Sequence, residues 1–272
     1  MKCKTLTLRM ALIGSLLAGC GQVKSTPRAT EPSPIIVSKP NPPTQTSNKS
    51  NFGRALVYSG PGACPEGCAK AAYDMAVRSG LTPTYVGPND LNSSSTDAEK
   101  KAFFDQVAVW IQPGGTSTTV LNNMSATEAE ALKNFVNQGG GYVGFCAGAF
   151  SATQKVGTSS VDGFDLFPGR TVLYSNPTSA GIIDVQWEGK TRNIYWEGGP
   201  YITDLPAGLA EPIAYYPTGQ IAAARSLYGK GKVFITGFHP EAPQDWRTYY
   251  GLSDTDGLDY DLVDEMIRWV SP

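Results

Sequence analysis

The stretch Gly139-Gly140-Gly141-Tyr142-Val143-Gly144-Phe145-Cys146-Ala147-Gly148-Ala149-Phe150 limits the fold more than any other part of the chain. It reads as an apolar strand ending in a sharp turn of the form G-x-C-x-G, with Cys146 at the apex. Such a turn strains the backbone and starts a helix close under the strand, so it needs small flanking residues. Ala147-Gly148-Ala149 and then Phe150-Ser151-Ala152 suit the first helical turn. A thiol placed there sits at the positive end of the helix dipole, which favours the thiolate. The alternative is a buried structural cysteine, a common fate of that residue type.

On either side of this turn the chain alternates short apolar runs with helical patterns. Ala55-Leu56-Val57-Tyr58, Thr82 to Val86 and Val107-Ala108-Val109-Trp110-Ile111 read as strands. Helices are expected from Glu66 to Ser79, ended by Gly80, from Thr96 to about Gln106, and from Ser125 to Asn137, where Ser125-Ala126-Thr127-Glu128 has the form of a capping box. Strands alternating with helices imply a parallel sheet covered on both faces, with ligands beyond the carboxyl ends of its strands. The second half is richer in strands. Val172-Leu173-Tyr174, Ile182 to Val185, Asn193 to Trp196, Pro212 to Tyr216, Ile221 to Arg225 and Lys232 to Gly237 are candidates, with a hairpin turn at Gly229-Lys230. A closing amphipathic helix is expected over Asp256 to Val270, with Leu258, Leu262, Met266 and Trp269 on one face.

The first residues do not belong to that fold. Lys2, Lys4 and Arg9 precede the apolar run Met10 to Leu17, which is too short to span a membrane as a mature helix. It ends in Leu17-Ala18-Gly19-Cys20, which resembles a bacterial lipobox; residues 1–19 are then a signal peptide and Cys20 the lipidated residue. The expected location is the cell envelope, with the membrane as partner through acyl chains on Cys20. Gly21-Gln22 after the cysteine resembles an outer-membrane address in Gram-negative cells, facing the periplasm. Residues 20–51 are rich in Pro, Ser and Thr and read as a disordered tether, leaving 52–272 as the domain. The formal net charge is -2 with no basic block, so nucleic acid is not expected as a partner. Cys64 and Cys68, four residues apart, suit a disulfide in an oxidising compartment, two thiols, or half of a metal site. A single histidine and the lack of a second cysteine pair argue against metal, and no cofactor is expected.

That histidine, His239, follows the apolar strand Lys232 to Gly237, and Glu241 stands two residues on. A nucleophilic cysteine needs a base, and the base needs a group that fixes its tautomer. Three motifs carry a resemblance to the class I glutamine amidotransferase-like superfamily: Pro113-Gly114-Gly115 after a strand, Gly144-Phe145-Cys146-Ala147-Gly148, and His239-Pro240-Glu241. Together with Tyr195-Trp196-Glu197-Gly198-Gly199-Pro200 and Gly229 to Val233, the chain is similar to the N-terminal domain of biotin-protein ligases over about residues 53 to 270. The resemblance implies a flavodoxin-like α/β fold, a parallel sheet with helices on both faces, with extra antiparallel strands in the second half. It implies Cys146 as nucleophile, His239 as general base and acid, Glu241 as its orienting group, and an oxyanion hole from the backbone N–H of Ala147 with one from Gly114 or Gly115. A plain turn is the other reading of Pro113-Gly114-Gly115, and no role is assigned to Glu197.

No synthetase or ATP-using ligase segment is recognisable in the sequence, and an extracytoplasmic space lacks ATP. The expectation is therefore a cysteine hydrolase acting on C–N bonds of a small amide or peptide, with no synthetase partner. A ligand-binding module that keeps the fold without turnover, and a thiol redox protein in which Cys64 and Cys68 resolve an oxidised Cys146, are the rival expectations.

Overall fold

A computed structural model of the chain describes residues 53–175 and 179–272. The leader, Cys20 and the tether expected from the sequence lie outside these residues, so the structure speaks only to the domain.

The chain enters as β1 (Arg54–Tyr58), makes a π-helical turn (Pro65–Ala69) and continues as α1 (Lys70–Arg78), β2 (Thr82–Val86), α2 (Asp97–Phe103) and β3 (Val107–Gln112). Then come α3 (Ser117–Asn123), α4 (Ala126–Asn137), β4 (Gly141–Phe145) and α5 (Ala147–Ala152). The second half runs β5 (Arg170–Leu173), β6 (Gly181–Trp187), β7 (Lys190–Trp196), β8 (Pro200–Thr203), β9 (Ala210–Tyr215), β10 (Ile221–Tyr228) and β11 (Gly231–Thr236), and closes with α6 (Gln244–Tyr249) and α7 (Tyr260–Val270).

The main sheet has the order β2-β1-β3-β4-β11-β10-β9-β6-β7. Its first five strands are all parallel, and from β10 onward the pairing is antiparallel. A parallel sheet must be buried on both faces, and alternate residues of these strands go to opposite sides. Val57, Val109, Ile111, Val143 and Phe145 share one apolar cluster with Ala72, Met75 and Ala76 of α1 and with Leu262, Met266 and Ile267 of α7. Leu56, Tyr58, Trp110 and Tyr142 share the other with Val120 of α3, Leu132 and Val136 of α4 and Ala149 of α5. The doubly covered α/β sheet with added antiparallel strands is therefore the fold the motifs implied.

Local chemistry explains most element ends. Gly80 at φ 85 closes α1, its N–H donating to Val77 and that of Leu81 to Ala76. Gly229-Lys230 joins β10 to β11 as a two-residue hairpin, with Tyr228 paired to Gly231. Two expectations are corrected. Thr96 and Glu99 make a full reciprocal capping box on α2, but at α4 only half of one forms. The Ser125 hydroxyl accepts from the Glu128 N–H, whereas the Glu128 carboxylate turns away to accept from the Leu91 N–H at 3.3 Å. The closing helix starts at Tyr260, later than periodicity suggested, because residues 254–259 are engaged in ion pairs with Arg192 and Arg247; Leu258 is left exposed. Elements α3, β8 and α6 carry weak local patterns and were not anticipated.

Candidate active site

Cys146 leaves β4 in a strained conformation, φ 49 and ψ −100, and α5 begins at the next residue. Its N–H is held by the Thr236 carbonyl at 2.8 Å, which ties the apex to the end of β11. The flanking glycines are required by close approach. A Cβ at Gly144 would lie 2.7 Å from the Gly148 backbone, and one at Gly148 would lie 2.2 Å from the Gln112 carbonyl oxygen. The helix is thus wedged between β4 and β3 at a spacing only glycine tolerates.

Because β4 is flanked by β3 and β11, the segments after all three strands meet at one edge. After β11 the chain runs through Phe238 to His239, whose N–H is held by the Tyr195 carbonyl at 2.9 Å. The imidazole Nδ1 lies 2.8 Å from Glu241 Oε1. Both side chains are buried, as is Cys146. The remaining ring nitrogen, Nε2, makes no formed hydrogen bond. The Cys146 sulfur is near enough to the ring to act on its charge. Burial disfavours the charged ring, but the carboxylate of Glu241 and the thiol of Cys146 outweigh it and raise the imidazole pKa well above its ordinary value. The ring is therefore biased toward imidazolium.

From β3 comes Gly114, which abuts the ring: a Cβ there would lie 2.5 Å from His239 Cε1. Gly115, at φ 135, is instead pinned against the Gly62 carbonyl and bridges Ala63. Ala147 is the first residue of α5, where a backbone N–H has no partner within its own helix. Beneath the site, buried Arg247 donates to the Ala242 carbonyl at 2.7 Å and is neutralised by Asp254 and Asp259, which anchors the turn carrying His239 and Glu241.

Three features were not placed by sequence reasoning. Cys64 and Cys68 are brought to this same edge, and the Cys68 sulfur would lie 3.3 Å from a Cβ at Gly114. They stand as thiols, not as a bridge, with Cys68 hydrogen-bonded to Cys64. That bond, then burial and the nearby sulfurs and Glu241, push the Cys68 thiol well up. The second feature is Glu197, whose backbone carbonyl is 3.5 Å from the Cys146 sulfur and whose carboxylate accepts from Tyr195 and Tyr250. The third is the packing of Gly199 on Gly237, where a Cβ would fall 1.7 Å from a carbonyl oxygen. The glycines at 198 and 199 were the available signal, but nothing in the sequence says what they pack against. Among the described residues no group of three His, Cys, Asp or Glu side chains is placed to hold a metal ion.

A strained apex cysteine thus follows one parallel strand, and His239 and Glu241 follow the strand beside it. A family model described as "Biotin-protein ligase, N terminal" matches residues 54–181. Over this stretch the chain is similar to that domain. The match contains Gly114, Gly115 and Cys146 and stops short of Glu197, His239 and Glu241. The biotin–protein ligase of Schizosaccharomyces pombe is 26% identical over 172 residues, which are 53% of this chain and 27% of that protein. The chain thus spans about a quarter of the length of that relative. Among solved structures, PurLQS from Thermotoga maritima matches with a TM-score of 0.52 at 18% identity, covering 79% of this chain and 97% of that one. A ThuA-like protein from Bacteroides uniformis matches with a TM-score of 0.52 at 15% identity, covering 81% and 91%. These likenesses establish the fold alone, a flavodoxin-like α/β sheet.

Proposed function

We propose that the protein is a lipid-anchored, extracytoplasmic cysteine hydrolase that cleaves C–N bonds of small amides or peptides. One observation carries the reading: an imidazole fixed at Nδ1 by Glu241 and open at Nε2 stands beside the sulfur of a strained elbow cysteine. The Cys146 thiolate attacks the carbonyl carbon, and the C–N bond breaks as His239 gives its proton to the departing nitrogen. Water then attacks the thioester, losing a proton to His239, and releases the acid and the thiol. The N–H of Ala147 and that of Gly114 stabilise the oxyanion; Gly114 is preferred over Gly115 because it faces the ring while Gly115 is pinned to Gly62. Lipidation of Cys20 holds the domain at the envelope, through residues 20–51, with the membrane as its partner.

Labelling with iodoacetamide, followed by peptide mapping, tests the core of this proposal. Cys146 should react faster than Cys64 and Cys68, and His239→Ala should slow it by about 100-fold, the typical contribution of one acid–base group. Equal labelling of all three cysteines, unaffected by the substitution, would refute it.

A further inference from the structure

We propose that Glu197 is the specificity-determining group of this site, and that it recognises a primary ammonium on the substrate: an amide carrying a free amine beside the scissile carbonyl. The inference rests on the reading of Cys146 as the attacking group. Residue 197 is at the reacting atom, since its carbonyl oxygen lies 3.5 Å from the sulfur. Its carboxylate is not left to swing in solvent. Tyr195 donates to Oε2 at 2.8 Å and Tyr250 to Oε1 at 3.1 Å. Each carboxylate oxygen can accept a second hydrogen bond, so two oriented acceptor positions are left for a ligand. The other acids around the site have cationic partners: Glu241 faces His239, and Asp254 and Asp259 face Arg247. Among the described residues the hydrogen-bond partners of Glu197 are phenols, with no lysine or arginine.

The surroundings suit the same ligand. Tyr195, Trp246 and His239 form a ring cluster with centroids 5.5 to 6.0 Å apart, and Tyr250 at its outer edge is exposed. Tyrosine and tryptophan faces attract ammonium groups, and a carboxylate among them adds a charge-assisted hydrogen bond. The backbone brings the group there: Gly199 packs on Gly237 too closely for a side chain, which sets the 197–199 turn beside the end of β11.

Methanethiosulfonates test this on the full chain, because each forms a mixed disulfide with the thiolate and releases methanesulfinate. The aminoethyl reagent carries a primary ammonium, the methyl reagent is neutral, and the sulfonatoethyl reagent is anionic. Rates at Cys146 are read by peptide mapping at fixed ionic strength. The wild type should favour aminoethyl over methyl, and the isosteric Glu197→Gln should cut that preference, read as the ratio of the two rates so that any change in thiolate fraction cancels, about tenfold. Glu197→Lys should reverse the order in favour of sulfonatoethyl. A preference unchanged in both variants, with a normal methyl rate, would reduce Glu197 to a brace and leave the nucleophile reading standing. Failure of the methyl reagent to single out Cys146 in the wild type would overturn the nucleophile reading and this inference with it.

Discussion

Gly114 shows how one missing side chain can set up a site. It has no unusual backbone angle; its role is space, because the ring of His239 occupies the place where a Cβ would be. The ring cannot easily yield, being buried and tied to Glu241. Gly114→Ala should therefore displace the imidazole, lowering the alkylation rate of Cys146 by about tenfold or more, at a stability cost of about 1–3 kcal/mol typical of overpacking. An alanine variant that alkylates at the wild-type rate would mean the ring does not govern the sulfur. Cys146 itself was legible as an apex residue from the small residues around it. That Cys68 lies at the same edge was not, since four-residue spacing describes only the local turn.

At the scale of elements, the first turn of α4 carries an unusual group. Glu128 is fully buried; its Oε2 accepts from the Leu91 N–H while Oε1 has no partner. Burial pushes its pKa up to about 7, against the pull of the Leu91 N–H. The folded chain thus holds this proton more tightly than the unfolded one. The corresponding stability is fully present below the ordinary carboxylic range and is lost as pH rises through about 7. Glu128→Gln should leave the thermal midpoint near pH 5 little changed and raise it by about 2–4 °C at pH 8, as for roughly 1 kcal/mol in a domain of this size. Scanning calorimetry at the two pH values checks this; an equal shift at both would rule out the titration. The sequence pattern suggested a capping box here. It could not show that the carboxylate is recruited by the loop before α2, because that partner is 37 residues away.

For the whole molecule, the continuity of the sheet matters most. The parallel strands β2-β1-β3-β4-β11 pass without interruption into the antiparallel set through the β11–β10 pairing. One apolar cluster spans both halves, joining Val57 and Val143 to Trp187, Ile213 and Ala223. The domain should accordingly unfold in urea as one unit. Far-UV circular dichroism and tryptophan fluorescence should coincide, in the wild type and in Trp110→Phe, which removes the tryptophan of β3. Two separated transitions would show that the antiparallel strands form a lobe of their own.

The alternation of apolar runs and helical patterns was enough, by itself, to determine the α/β class and the parallel half of the sheet, while the glycines about Cys146 and the placing of His239 and Glu241 after an apolar strand marked these three residues as candidates. Each of those signals is local, written in side-chain size and period within a dozen residues. The order of the strands, the arrival of Cys68 beside the imidazole and the holding of Glu197 by Tyr195 and Tyr250 were decided only in three dimensions. They depend on which distant backbone segments can approach to glycine-limited distances, as Gly199 does on Gly237 and Gly148 on Gln112. Such contacts leave no periodic trace along the chain, because the partner of each glycine is chosen by the packing of the whole sheet.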